Sequence, residues 1–135
     1  MSLLNQDLMH TMQQKSRHIS KKVNEALRKH ELYMSQWSIL YCLHKFGAMT
    51  QKEIWLYLNV EAPTVTRTLE RMEKSEWIMR EEGMDKRERI IKLTEKAKNE
   101  FSGIKQSVES VEREFLSRVT EEEKTQLYQL LHKLG

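Results

Sequence analysis

The sequence predicts a mainly α-helical fold with one small β-hairpin, and three observations carry that reading. The 135 residues hold only four glycines and one proline among many Glu, Lys, Leu and Met, a helix-rich composition. Apolar residues recur every three or four positions along most of the chain. Between 77 and 93 that rhythm gives way to two short runs, WIMR and RIIKL, separated by the polar stretch EEGMDKRE.

Residues 5 to about 30 form the first expected helix, with Leu8, Met12, Ile19, Val23 and Leu27 at helical spacing. A second helix follows Ser35, with Ile39, Leu40, Leu43 and Phe46 as its stripe and Gly47 as its stop. Thr50 to Glu53 reads as a capping box, and Met49 with Ile54 occupies the staple positions around it. That third helix ends near Asn59, and Pro63 opens a fourth at its first position. In the fourth, Val65, Leu69 and Met72 form the buried stripe, while Thr64, Arg67, Thr68 and Arg71 gather on another side. Two short helices joined by a tight turn, the second with a cationic N-terminal face, outline a helix-turn-helix.

Gly83 and Asp85 supply turn chemistry for the hairpin. Thr94 then opens a long helix in which Ala97, Phe101, Ile104, Val108, Val111 and Phe115 step close to a heptad seam. A second capping box at Thr120 to Glu123 starts a closing amphipathic helix with Leu127, Leu130, Leu131 and Leu134. One chain of this size has few helices to cover the 101–115 stripe. It is therefore expected to be the seam of a homodimer, joined by Leu127 and Leu131.

Composition bounds the function. The length suits one domain, and the single Cys42 excludes an internal disulfide and fits a reducing compartment. The most apolar run, WSILYCL, is far too short to span a bilayer, so a cytoplasmic protein without membrane contact is expected. Net charge is +3, yet residues 61–93 hold eight basic and eight acidic side chains, so nucleic-acid binding depends on where charges point. The chain has no HExxH, P-loop, nucleophile elbow or Cys/His metal spacing, and no two of its five histidines stand three or four apart. No catalytic residue, metal or cofactor is expected. A winged-helix protein adaptor that binds no DNA is the competing reading, but it has no need of Arg87 at the hairpin tip or of threonines along that helix face.

The stretches QWSIL (36–40), TQKEI (50–54), PTVTRTLERME (63–73) and DKRERIIKLTEKA (85–97) carry a resemblance to the MarR family of bacterial winged-helix regulators. An Asp-x-Arg on a wing, followed by a strand ending in Leu-Thr, is characteristic of that family. The resemblance implies a dimeric winged helix-turn-helix protein forming a single domain over 1–135. A DNA-binding lobe spans 35–93, and dimerisation helices lie at 1–34 and 94–135. It implies double-stranded DNA as partner, a repressor's role, and a small aromatic effector beside Trp37, Tyr41 and His44. Thr64, Thr66 and Thr68 would donate to phosphates, and Arg67 and Arg71 would fork onto guanine or clamp a phosphate. At the wing, Arg87 would enter the minor groove, Asp85 would orient it, and Lys86 would face a phosphate or solvent. The chain has Glu76 and Ala97 where the family usually or often has glycine, so the recognition helix is expected to end without an αL residue. Cys42 lies outside the first helix, where the family's peroxide sensors keep their thiol.

Overall fold

The computed structural model describes residues 2–85 and 87–135. In chain order it gives α1 (Ser2–Leu27), a 3-10 turn (Arg28–His30), α2 (Met34–Phe46), β1 (Met49–Thr50), α3 (Gln51–Leu58) and α4 (Ala62–Lys74). There follow β2 (Ile78–Glu82), β3 (Arg89–Leu93), α5 (Glu95–Phe115) and α6 (Glu121–Leu131). The architecture is mainly helical with a small antiparallel sheet, as the sequence predicts.

The long helices α1 and α5 lie against each other. Val23 and Leu27 on α1 are buried, as are Ala97, Phe101, Ile104 and Val108 on α5, in a hydrophobic cluster that continues into the helix-turn-helix. This corrects the seam reading at three of its positions. Phe101, Ile104 and Val108 are covered within the chain itself, leaving Val111 and Phe115 half-buried and Leu127 and Leu131 exposed on α6. Periodicity identified a stripe that needed cover, and α1 supplies it together with the Trp37 and His44 rings of α2. The start of α1 stays bare, with Leu3, Leu4, Leu8 and Met9 exposed.

After the 3-10 turn, Glu31 takes a left-handed conformation (φ 58°), and Asn24 Oδ1 accepts the Met34 amide at 2.7 Å to start α2. Phe46, expected in the buried stripe, is exposed and packs edge-on against Tyr57. The capping boxes form as read. Thr50 Oγ1 accepts the Glu53 amide at 3.1 Å and Glu53 returns the bond at 2.9 Å, holding the Glu53 carboxyl below its usual range. Met49 and Ile54 are buried on either side of that box. Thr120 and Glu123 repeat the arrangement.

A strand that the sequence reading missed completes the sheet. Met49 pairs with Ile91 and Thr50 with Ile90, so the order is β1-β3-β2. Two residues cannot show an alternation, and these two already served as staple and cap.

The end of α4 overturns the expectation about Glu76. Glu76 itself adopts φ 63°, its amide bonds to Glu73 O at 3.1 Å, and the Trp77 amide bonds to Met72 O at 2.9 Å. That is a Schellman ending built without glycine. Thr94 Oγ1 donates to Glu76 O at 2.6 Å, and Lys96 Nζ donates to Ser75 O at 2.9 Å while sitting over the Trp77 ring. These bonds hold the residue in a conformation its Cβ resists. Glu76→Gly is therefore expected to stabilise the fold by about 1 kcal/mol. Urea unfolding checks this, and a loss of stability would show that the Glu76 side chain offsets its own strain.

Candidate nucleic-acid interface

The burial of Val65, Leu69 and Met72 fixes how α4 is rotated, because all three are at most 2% exposed. Arg67 and Arg71 consequently stand in solvent, with no carboxylate within ion-pair distance among the described residues. The first turn of α4 carries no acidic residue, and the N-cap Glu61 makes no side-chain capping bond. Pro63 sits in that turn at the second helical position, since α4 begins at Ala62. Glu61 is the one carboxylate at this end and its side chain caps none of the first amides of α4, so that end is open to an anionic partner.

The threonines divide into different roles. Thr64 is exposed. Thr68 donates its hydroxyl to Thr64 O at 3.0 Å, a bond at the surface that rotation can exchange for a phosphate. Thr66 is committed to the fold: it donates to Ala62 O at 3.0 Å and accepts from the Gln51 side-chain amide. Its hydroxyl ties α4 to α3, so the expected phosphate contact is replaced by a structural bond.

The wing is the β2–β3 hairpin, in register from Ile78 opposite Leu93 to Glu82 opposite Arg89. Lys92 and Glu81 form an ion pair across it at 2.7 Å. At the tip the Gly83 amide bonds to Glu88 O at 2.9 Å. A Cβ on Gly83 would meet the Glu88 Cβ at 3.0 Å, so a side chain there would have to push the facing strand end back by a few tenths of an ångström. Asp85 Oδ1 accepts the Arg87 backbone amide at 3.1 Å, and Asp85 O accepts the Glu88 amide at 2.9 Å. Asp85 therefore orients Arg87 through its backbone rather than by gripping the guanidinium. Arg87 is exposed. Lys86 lies outside the described residues.

Sequence reasoning passed over Gln51 and Arg80. Arg80 is 15% exposed, beneath α4 beside Glu73. The readable signal was its period-2 alignment with the buried Ile78, which places a cation on the core side of β2.

The three aromatic positions proposed for an effector come together, but as a packed stack. Trp37 stacks on Phe101 at 5.3 Å between ring centroids, and His44 stacks on Phe101 at 3.9 Å. Tyr41 leans on Trp37 at 6.0 Å. Trp37 is buried, while Tyr41 and His44 keep exposed edges. A separate apolar groove of about 770 Å³ lies between α1, the end of α5 and α6, lined by Met12, His18, Val111, Phe115, Leu127 and Leu131.

Helix-turn-helix, wing and flanking long helices define a winged helix-turn-helix protein. The model of the MarR family matches residues 32–88. A Bacillus subtilis (strain 168) protein described as the uncharacterized HTH-type transcriptional regulator YwoH is 49% identical over 124 residues, covering 92% of this chain and 90% of its own. The chain belongs to the MarR family, and it is a transcriptional regulator of that family. Among solved structures, a mutant of MarR from E. coli complexed with operator DNA superposes with a TM-score of 0.87 at 24% identity, covering 94% of this chain and 92% of that one. The organohalide-sensing regulator RdhR-CbdbA1625, ligand-free, gives 0.87 at 26% identity, covering 96% and 78%. Among the described residues, no helix is long and apolar enough to cross a membrane.

Cys42 is buried, and desolvation pushes its thiol up to about 11. At pH 8 the thiolate fraction is then on the order of 0.001, too small for a reactive sensor. Iodoacetamide is expected to label Cys42 only as fast as the protein unfolds. Mass spectrometry of native and denatured samples checks this, and rapid native labelling would restore a redox role.

Proposed function

We propose that this chain is a homodimeric repressor that binds a pseudo-palindromic operator through α4 and the wing, and that a small aromatic effector releases it. The observation that carries the reading is the first turn of α4, which holds no acid, with Thr64, Arg67 and Arg71 exposed along the helix. A face that repelled DNA would carry acids there. The E. coli neighbour of the same fold was crystallised with operator DNA, which supports DNA as the partner.

The 1–34 and 94–135 helices act as the dimerisation region. The support is the bare apolar surface of Leu3, Leu4 and Leu8 on α1 and Leu127, Leu130, Leu131 and Leu134 on α6 and just beyond it. Burying it against a second copy is worth about 25 cal/mol per Å² of apolar surface. The exposed edges of Tyr41 and His44 offer a flat ligand somewhere to enter beside Phe101. An effector there acts by population shift, favouring a spacing of recognition helices that no longer fits two half-sites.

Selecting bound duplexes from a random pool tests the reading as a whole. Enrichment of an inverted repeat supports it, and no enrichment ends it. For the dimer, Leu127→Asp with Leu131→Asp is expected to give a folded monomer at micromolar concentration, whereas Val108→Asp unfolds the chain by burying a charge in its own core. Sedimentation and circular dichroism separate the two, and a wild-type monomer would end the proposal. For the groove face, Arg67→Ala is expected to lose about 1–3 kcal/mol per half-site and relax preference at one base position. Thr68→Ala is expected to weaken operator and random DNA by similar factors. Titration of both variants on selected and scrambled duplexes checks this, and an unchanged Arg67→Ala would put the groove on another face.

A further inference from the structure

Arg80 is a partly satisfied cation in an unusual place. Its strand partner Ile91 is fully buried, so the Arg80 side chain lies on the sheet face that carries the core, under α4. Nε stands 3.7 Å from Glu73 Oε2, an ion-pair distance but beyond hydrogen-bond reach. Nε and Nη2 are both buried and have no hydrogen-bond partner among the described residues. These two nitrogens share one edge of the guanidinium plane, the edge that grips a carboxylate with two parallel bonds. Stability gives little reason for such a residue: the Glu73 side chain is half-exposed, so an apolar side chain of similar volume at position 80 would strand no buried carboxylate.

Its location gives a reason. Glu73 lies on α4 two residues beyond Arg71, and Arg80 lies on the strand that leads to the tip bearing Arg87. The pair is a side-chain joint between the two parts that the proposed function places in adjacent grooves. Its gap is roughly 1 Å wider than a closed Arg–carboxylate pair. We propose that Arg80 is a positioning residue that sets the wing against the recognition helix, and that its two unused donors close onto Glu73 when α4 and the wing tip engage DNA together. The inference rests on the DNA-binding reading. A wing so coupled tightens its grip when the recognition helix is seated, and the recognition helix is held better when the wing has found a narrow groove.

The test uses duplexes selected by the wild-type protein, with A·T-rich or G·C-rich flanks, titrated at one salt concentration. The proteins are wild type, Arg80→Met, Arg80→Lys, Glu73→Gln, Arg87→Ala and the double variant Arg80→Met with Arg87→Ala. Arg80→Met is expected to melt at or above the wild-type temperature while losing roughly tenfold in affinity, the usual scale of coupling between sites. A cation at Arg87 entering a narrow minor groove would favour A·T-rich flanks; Arg80→Met should also lose that preference, and adding Arg87→Ala should then cost little more. Arg80→Lys keeps the charge but not the fork and should behave like Arg80→Met. Glu73→Gln, which keeps one acceptor, should fall between. Wild-type affinity and flank preference in Arg80→Met would overturn the proposal. So would losses from Arg80→Met and Arg87→Ala that multiply independently, or a large drop in melting temperature, which would make the guanidinium part of the fold. Failure of the wild type to select any duplex would sink the DNA-binding reading as well, which is a distinct result.

Discussion

The packing of one helix determines what this protein shows to a partner. Val65, Leu69 and Met72 are all but fully buried, on positions four and three apart along α4. Turning the helix by one residue, about 100°, would carry Leu69 out of its place and press Glu70 or Arg71 towards the core. Losing one buried leucine of this kind costs a few kcal/mol, and a buried unpaired charge costs more. No other rotation competes, so the exposure of Arg67 and Arg71 follows from three apolar side chains. The bond from Gln51 to Thr66 then fixes α4 along its axis relative to α3. Groove-facing chemistry is thus set by residues that would never touch DNA.

That dependence explains which parts were legible in the sequence. The buried stripe of α4, both capping boxes and the hairpin rest on spacing within a few residues, and all appear as read. Features that need a second element were not legible. Phe101, Ile104 and Val108 look like a seam until α1 and α2 are laid over them, since a period says only that a stripe needs cover. Thr66 looks like its neighbours until Gln51 reaches it from α3. Phe46 fits the period of α2 but falls past the edge of the core.

Glu76 shows how context overrides a local rule. Glycine is the ordinary residue at a left-handed helix end, and its absence pointed to a different entry into the wing. The backbone instead keeps the usual Schellman bonds, because Met72 and Trp77 are both buried and Thr94 and Lys96 bind the carbonyls around the turn. A strain of about 1–2 kcal/mol is small against the burial of Trp77 and Ile78 beyond it. Asp85 makes the same point at the tip, where its carboxylate fixes backbone rather than a neighbouring guanidinium.

The helix α5 connects these local arrangements over distance. Its 21 residues span about 30 Å, from Ala97 beside the wing strands to Phe115 in the apolar groove with α1 and α6. Phe101 sits near the first end, between the Trp37 and His44 rings of α2. Closely packed aromatics do not compress, so a change in that stack must be taken up by a shift of α2 against α5. A tilt of about 5° between them moves atoms about 20 Å away by nearly 2 Å, enough to spoil hydrogen bonds to base edges. In the proposed homodimer, the helix that buries the core with α1 is therefore the lever between the bare apolar surface of α1 and α6 and the helix that would read DNA. Its pivot is an aromatic cluster with edges open to solvent.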